Sequence, residues 1–147
     1  MTHPCRACCA LIAALAVLLP PAGDLGAQQP EPRRPTIIAR ATPPVGFTPM
    51  RVRATAELRD GSEDFADFYC ATVEWDWGDG TTSENSSDCN PYEAGKSTIQ
   101  RRFSAEHTYR QGGAYRIVFR LKQKTKVVGS ASATIQVRAG AGDAFGR

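Results

Sequence analysis

The chain has 147 residues, 41% of them hydrophobic, with 18 Lys and Arg against 15 Asp and Glu and a net charge of +3. That length holds one folded domain rather than two, and no apolar run reaches the about 20 residues that a membrane-spanning helix needs. Only two histidines are present, which leaves little material for a catalytic base.

The first 27 residues read as a secretory signal peptide. Arg6 supplies a positive start, Ala10 to Leu19 is an uncharged apolar run, Pro20-Pro21 break it, and small residues end at Gly26-Ala27. This order is that of an export signal, and cleavage is expected after Ala27. His3, Cys5, Cys8 and Cys9 superficially resemble a metal site, but a removed leader has no fold to hold four ligands. The mature chain is therefore expected outside the cytoplasm, secreted or periplasmic. It keeps two cysteines, Cys70 and Cys89. In an exported protein these point to one disulfide, which on the chain-entropy model contributes roughly 3 kcal/mol.

Residues 28–35, QQPEPRRP, form a polar, proline-rich linker that is not expected to pack. From Thr36 to Arg138 the patterned stretches have period two, the signature of half-buried strands. TIIARA (Thr36 to Ala41) reads as an edge strand ended by Pro43-Pro44. In MRVRATAEL, Val52, Ala54, Ala56 and Leu58 alternate with Arg51, Arg53, Thr55 and Glu57. Val73, Trp75 and Trp77 share one face of the next strand, with Glu74 and Asp76 on the other. Phe103, Ala105, His107 and Tyr109 form another inner face. Tyr115, Ile117, Phe119 and Leu121 alternate with Arg116, Val118, Arg120 and Lys122. Ala131, Ala133, Ile135 and Val137 close the series. Turn formers separate these runs: Asp60-Gly61, Gly78-Asp79-Gly80, Asn90-Pro91, Gly112-Gly113 and Gly129. Several short strands at this spacing make a sandwich or barrel. The expected core includes Val52, Val73, Trp75, Tyr115, Ile117, Phe119, Ile135 and Val137. Residues 139–147, glycine-rich, are expected to fray.

The stretch Trp75-Asp76-Trp77-Gly78-Asp79-Gly80 is followed by His107-Thr108-Tyr109, then Gln111-Gly112-Gly113, then Tyr115. These elements, in this order, resemble the PKD (polycystic kidney disease) domain family, over roughly Thr36 to Val137. Trp77 stands where that family usually has Phe, Gly112 where Pro is common, and the segment from Gly80 to His107 is long and carries Cys89. The resemblance implies an antiparallel β-sandwich of immunoglobulin-like type. It also implies a non-catalytic role outside the cell, as a spacer or as a binding module for proteins or polysaccharides. Such a topology would pair the Tyr115 strand with the Val73 strand and set Glu74 and Asp76 across from the cations on its outer side.

Charge is strongly segregated. Residues 28–56 hold five Arg and one Glu; residues 57–95 hold eleven Asp and Glu against Arg59; residues 96–147 hold eleven Lys and Arg against Glu106 and Asp143. The acidic stretch offers oxygen ligands for calcium, in Asp60, Glu63, Asp64 and Asp67 and again in Asp79, Glu84 and Asp88. Solvated loops are the default reading, and no cofactor or metal is assigned. Arg116, Arg120 and Lys122, with Lys124 and Lys126 beyond them, offer a basic face, set against internal neutralisation by Glu74 and Asp76. Nucleic acid is not an expected partner, because outward aromatics for base stacking are missing. His107 is read as a packed, hydrogen-bonded residue and not as a catalytic base. Asn85-Ser86-Ser87 is a formal glycosylation sequon.

The expected function is non-catalytic recognition of an extracellular or envelope protein or polysaccharide, through loops or a sheet face. The first candidate is the polar insertion Ser83 to Ser97, with Tyr92 as its anchor, because loops on a rigid sandwich commonly carry function. The alternative is a structural accessory or spacer subunit, stiffened by calcium in one variant.

Overall fold

Eight strands account for most of the 31–140 stretch that the computed structural model describes. The expected signal peptide and the end of the tail, 141–147, lie outside the described residues. The strands are β1 (Thr36–Thr42), β2 (Val45–Phe47), β3 (Met50–Arg59), β4 (Thr72–Asp76), β5 (Thr82–Asn85), β6 (Arg102–Tyr109), β7 (Gly113–Gln123) and β8 (Lys126–Arg138). A single turn of 3-10 helix, Ala66–Phe68, precedes β4.

They form two sheets, ordered β1-β3-β6 and β2-β8-β7-β4-β5. All pairings are antiparallel except the short β2, which runs parallel to β8. The fold is thus an all-β, immunoglobulin-like sandwich. Alternation dictates which faces meet. Met50, Val52, Ala54, Ala56 and Leu58 of β3 are buried, while the residues between them face outward. Ile117, Phe119 and Leu121 of β7, with Ile135 and Val137 of β8, cover them from the other sheet. Burying each of the larger side chains among these, Val, Leu, Ile, Phe or Met, stabilises the fold by about 1.5–3 kcal/mol.

The largest buried rings sit at one end of β4. Trp77 is fully enclosed and Trp75 nearly so. The Trp75 ring lies 4.8 Å from Phe119 and 6.0 Å from Trp77. Of the expected core, Val73 and Tyr115 are only half-buried, although both pack against the buried cluster. Phe68 and Ile99, in segments without strand periodicity, are core residues that alternation did not single out.

Three expectations need correction. The polar linker does pack at its end. Pro35 is buried, Arg33 exchanges backbone and hydroxyl hydrogen bonds with Ser62, and the Arg34 guanidinium lies 5.0 Å from the Phe68 ring centre while donating to the Val128 carbonyl. A cation over an aromatic face is attracted by the ring quadrupole, so a charged side chain can cap the core. Ser83 to Ser97 is not all loop, since Ser83, Glu84 and Asn85 belong to β5. Their side chains are polar because β5 is an exposed edge strand. Gly129 does not break a strand but lies inside β8, where a Cβ would come within 2.6 Å of Ile37.

The sheets are joined at the tryptophan end by a buried hydrogen bond. Tyr109 of β6 donates its hydroxyl to the Trp77 carbonyl at 2.8 Å. Burial and the nearby Asp79 carboxylate push the phenol well above its ordinary ionisation range, so it remains a donor. Tyr109→Phe leaves that carbonyl without its partner, which costs about 1–3 kcal/mol. Urea unfolding is expected to show the midpoint falling with the slope unchanged; an unchanged midpoint contradicts this role.

Candidate functional site

The tight turn after β4 is held from within. Trp77 donates its backbone N–H to the Thr81 carbonyl at 3.0 Å. Asp76 accepts from the Gly78 amide at 3.0 Å, and Asp79 accepts from the Thr81 amide at 3.0 Å and the Thr81 hydroxyl at 2.6 Å. Gly78 has φ +76, and a Cβ there would lie 2.7 Å from the Arg116 carbonyl oxygen. Only glycine fits both constraints. Gly80 also has positive φ but faces open space.

From this turn Asp79 reaches the opposite sheet. Its second carboxylate oxygen lies 2.7 Å from His107 Nε2 on β6. The His107 ring stacks on Trp77, with 4.8 Å between centres and 14° between planes, and meets Tyr109 edge-on. Burial alone would raise the Asp79 carboxyl, but the bonds from Thr81 and His107 outweigh it and leave the group below its ordinary 3.8. The imidazole therefore has its Nε2 bonded to Asp79 and one face covered by Trp77. Trp77 Nε1 donates to Ser83 Oγ at 2.9 Å, and Tyr115 donates to the Gln111 carbonyl at 2.9 Å just after Gly113 opens β7. Trp75, Asp76, Trp77, Gly78, Asp79, Gly80, His107, Tyr109, Gly113 and Tyr115 thus meet in one structural corner.

The basic residues of β7 are not a free face. Glu74 stands opposite Arg120 in register. Arg120 bonds Glu74 at 2.7 Å and Asp76 at 3.2 Å, and Lys122 bonds both Glu74 and Glu84 at 2.6 Å. Lys122, then Arg120, hold the Glu74 carboxyl below its usual range. Arg116 bonds the Ser132 hydroxyl at 3.2 Å. The internal neutralisation weighed against the basic face is what the side chains form.

Nor is Tyr92 a free anchor. It is 36% exposed, its hydroxyl donates to the Asp64 carbonyl at 2.6 Å, and its ring lies 5.6 Å from Tyr69. It fastens the 86–101 segment to the loop before β4. The Cys70–Cys89 disulfide makes a second fastening, and the Ile99 amide bonded to the Glu63 carbonyl at 2.8 Å a third. Arg101 adds a fourth, bonding Glu63 at 2.7 Å and the carbonyls of Leu58 and Asp60. Two acidic side chains of this loop are thereby engaged separately, Glu63 with Arg101 and Asp64 with the Gly95 amide. Among the described residues no group of three or more His, Cys, Asp or Glu is placed to hold a metal ion.

What the fastened segment leaves open is a groove of about 320 Å³ between β5 and β6, the two strands that edge their sheets on this side. Its floor is apolar: Val73, Trp75, Phe103, Ala105 and the disulfide. Its rim is uncharged and polar apart from Glu84: Ser83, Asn85, Ser87, Thr98, Gln100 and Ser104. The backbone of the walls is also available. Leu58 N–H bonds the Arg101 carbonyl, and hydrogen-bonded pairs alternate along an antiparallel ladder. Phe103 and Ala105 therefore bond to β3, while the amides and carbonyls of Arg102, Ser104 and Glu106 point to the open edge. By the same alternation, the Trp77–Thr81 bond leaves the backbone of Glu84 facing outward on β5. Asn85, read as a sequon, is in this wall. The sequence reading named the insertion but missed the groove; the signal was the lone polar run Thr82 to Asn85 beside a tryptophan strand.

Comparison with solved structures finds similarity to the PKD domain of an M14-like peptidase from Thermoplasmatales archaeon SCGC AB-540-F20, with 16% identity and a TM-score of 0.45, over 72% of this chain and 94% of that one. This is the kind of domain that the motifs resemble. No protein-family model matches the chain, and no curated protein matches it.

The Asp79 carboxylate carries a pH signature. A carboxyl lower in the folded than in the unfolded state adds stability above its unfolded value and loses it as pH falls through its folded value. The stability gap between the wild type and Asp79→Asn is thus expected to be full at pH 5 and to close below the ordinary 3.8. Thermal melts across this range test it; a gap that stays constant to the lowest pH contradicts the role given to Asp79.

Proposed function

We propose that the chain is a non-catalytic binding module working outside the cytoplasm, and that it takes an extended protein segment into the groove between β5 and β6. The observation that carries this reading is the groove itself. It is a concave site with an apolar floor and a few polar groups, the usual composition of a ligand pocket. Backbone donors and acceptors face its mouth from both edge strands. An entering strand can pair with such an edge and place alternate side chains into the cavity, so that the main chain supplies affinity and the cavity specificity.

Export rests on the pattern of residues 1–27 and suits a disulfide, which persists in oxidising compartments. The non-catalytic reading rests on His107. The imidazole is held between Trp77, Tyr109 and Asp79, with no nucleophile described beside it. Among the described residues no helix is long and apolar enough to cross a membrane.

The test uses a displayed library of random 12-residue peptides selected on the wild-type protein. Enriched peptides are expected to share an apolar residue for the cavity and to bind Ser104→Pro at least tenfold more weakly. Proline on an edge strand removes a donor that faces outward and leaves the sheet intact, so the melting temperature is expected to change little. Failure to enrich any peptide, or equal binding to Ser104→Pro, overturns the groove as a peptide site. Binding of neutral glycans in that groove would replace protein by polysaccharide as the ligand.

A further inference from the structure

We propose that the outer face of the three-stranded sheet is a docking surface for an acidic polysaccharide, a linear polymer carrying carboxylate or sulfate groups. This surface adjoins the groove, meeting it at Ser104, but its charges are not part of the groove lining and the inference does not depend on it. Register places Arg51, Arg53, Glu57 and Arg59 of β3 on this face, with Arg40 of β1 on one side and Arg102 and Glu106 of β6 on the other. Five guanidinium groups therefore share a sheet surface with two carboxylates.

The two carboxylates are each shared. Glu106 bonds both Arg51 and Arg53, and Glu57 bonds Arg59 at 2.9 Å with Arg102 at 3.7 Å. Arg40 adds its charge near Glu57, which Arg59 and Arg102 already pair. The face keeps five arginines against two carboxylates, a larger surplus than on the outer face of the other sheet, where Glu74, Asp76 and Glu84 stand against Arg116, Arg120, Lys122 and Arg138. The side chains are also accessible: Arg51 is 75% exposed, Arg53 66% and Arg102 86%. Arg51 and Arg53, two residues apart on one strand, stand about 7 Å from each other.

The chemistry of the face selects the polymer. Every cation on it is arginine, whose planar fork matches carboxylate and sulfate oxygens two at a time. Between the arginines lie Thr55, Ser104 and Thr108, hydroxyls suited to sugar hydroxyls. The face has no exposed aromatic ring on which a base could stack. Its one bulky apolar side chain, Ile38 opposite Glu57, is half-buried, which offers little apolar surface to a bilayer.

The experiment measures binding of the whole exported chain to immobilised polygalacturonate, dextran sulfate, neutral dextran and a 20-base-pair DNA duplex at low salt. Wild type is expected to bind the two acidic polysaccharides and not neutral dextran, with affinity falling at least tenfold as salt is raised, because exposed charges are screened. Arg40→Gln/Arg51→Gln/Arg53→Gln removes the surplus and is expected to weaken binding at least tenfold. Glu57→Gln/Glu106→Gln is expected to strengthen it at least threefold. Lys124→Asn/Lys126→Ser, away from this face, is expected to change it less than twofold. All substituted side chains are exposed or half-exposed, and melting curves check that each variant folds. Equal binding by the triple variant, equal binding to neutral dextran, or tighter binding to the duplex than to either acidic polysaccharide overturns the proposal.

Discussion

The structure depends on how the end of β4 is tied to β6. Trp77 brings the largest side chain in the chain into the interior with its carbonyl beside it. A buried carbonyl without a partner costs as much as a lost hydrogen bond. Tyr109 supplies the partner from the opposite sheet. His107 covers the indole face, and Asp79 returns from the turn to hold His107. Two sheets that share no strand pairing are thus joined by two polar contacts around one ring. The glycine, aspartate and aromatic residues of the motif are explained together by that need. Removing such a ring from a core typically costs about 3–5 kcal/mol, a large part of the stability of a domain this size.

A corner closed in this way frees the rest of the sandwich. The acidic residues near the tryptophans are engaged within the protein, by Thr81, His107, Arg120 and Lys122. In the acidic loop before β4, Glu63 is engaged by Arg101 and Asp64 by the Gly95 amide. The proposed recognition sites are the open edge between β5 and β6 and the outer face of β1-β3-β6, where arginines outnumber carboxylates. The disulfide belongs to both stability and function in this account. It fastens the 86–101 segment to the start of β4 and forms part of the groove floor. Recognition by a rigid groove avoids the cost of ordering a mobile loop on binding.

Much of the fold was legible because alternation is imposed by burial. MRVRATAEL and AYRIVFRLK read as strands because every second side chain is enclosed, and the β4–β7 pairing set Glu74 across from Arg120 as the resemblance implied. The misses follow from contacts without a period. Arg34 over Phe68 and Pro35 in the interior depend on where a chain end crosses the sheet, which local pattern does not encode. The strand β5 is uniformly polar because it is exposed, so it carries no hydrophobic signal. Tyr92 looked like a free aromatic because its partner, the Asp64 carbonyl, is 28 positions away in sequence. The arginine face was written in the sequence as well. Residues 32–56 contain five arginines and no acid, but only the register of β1, β3 and β6 puts Arg40, Arg51, Arg53, Arg59 and Arg102 on one surface.

The most direct test of the central claim is a double-mutant cycle on unfolding free energy with Asp79→Ala, His107→Ala and the pair. If the two residues act as one tie between the sheets, each single variant is destabilised and the pair loses less than the sum, with a coupling of about 0.5 kcal/mol or more. Additive losses, or single variants as stable as the wild type, would contradict the account.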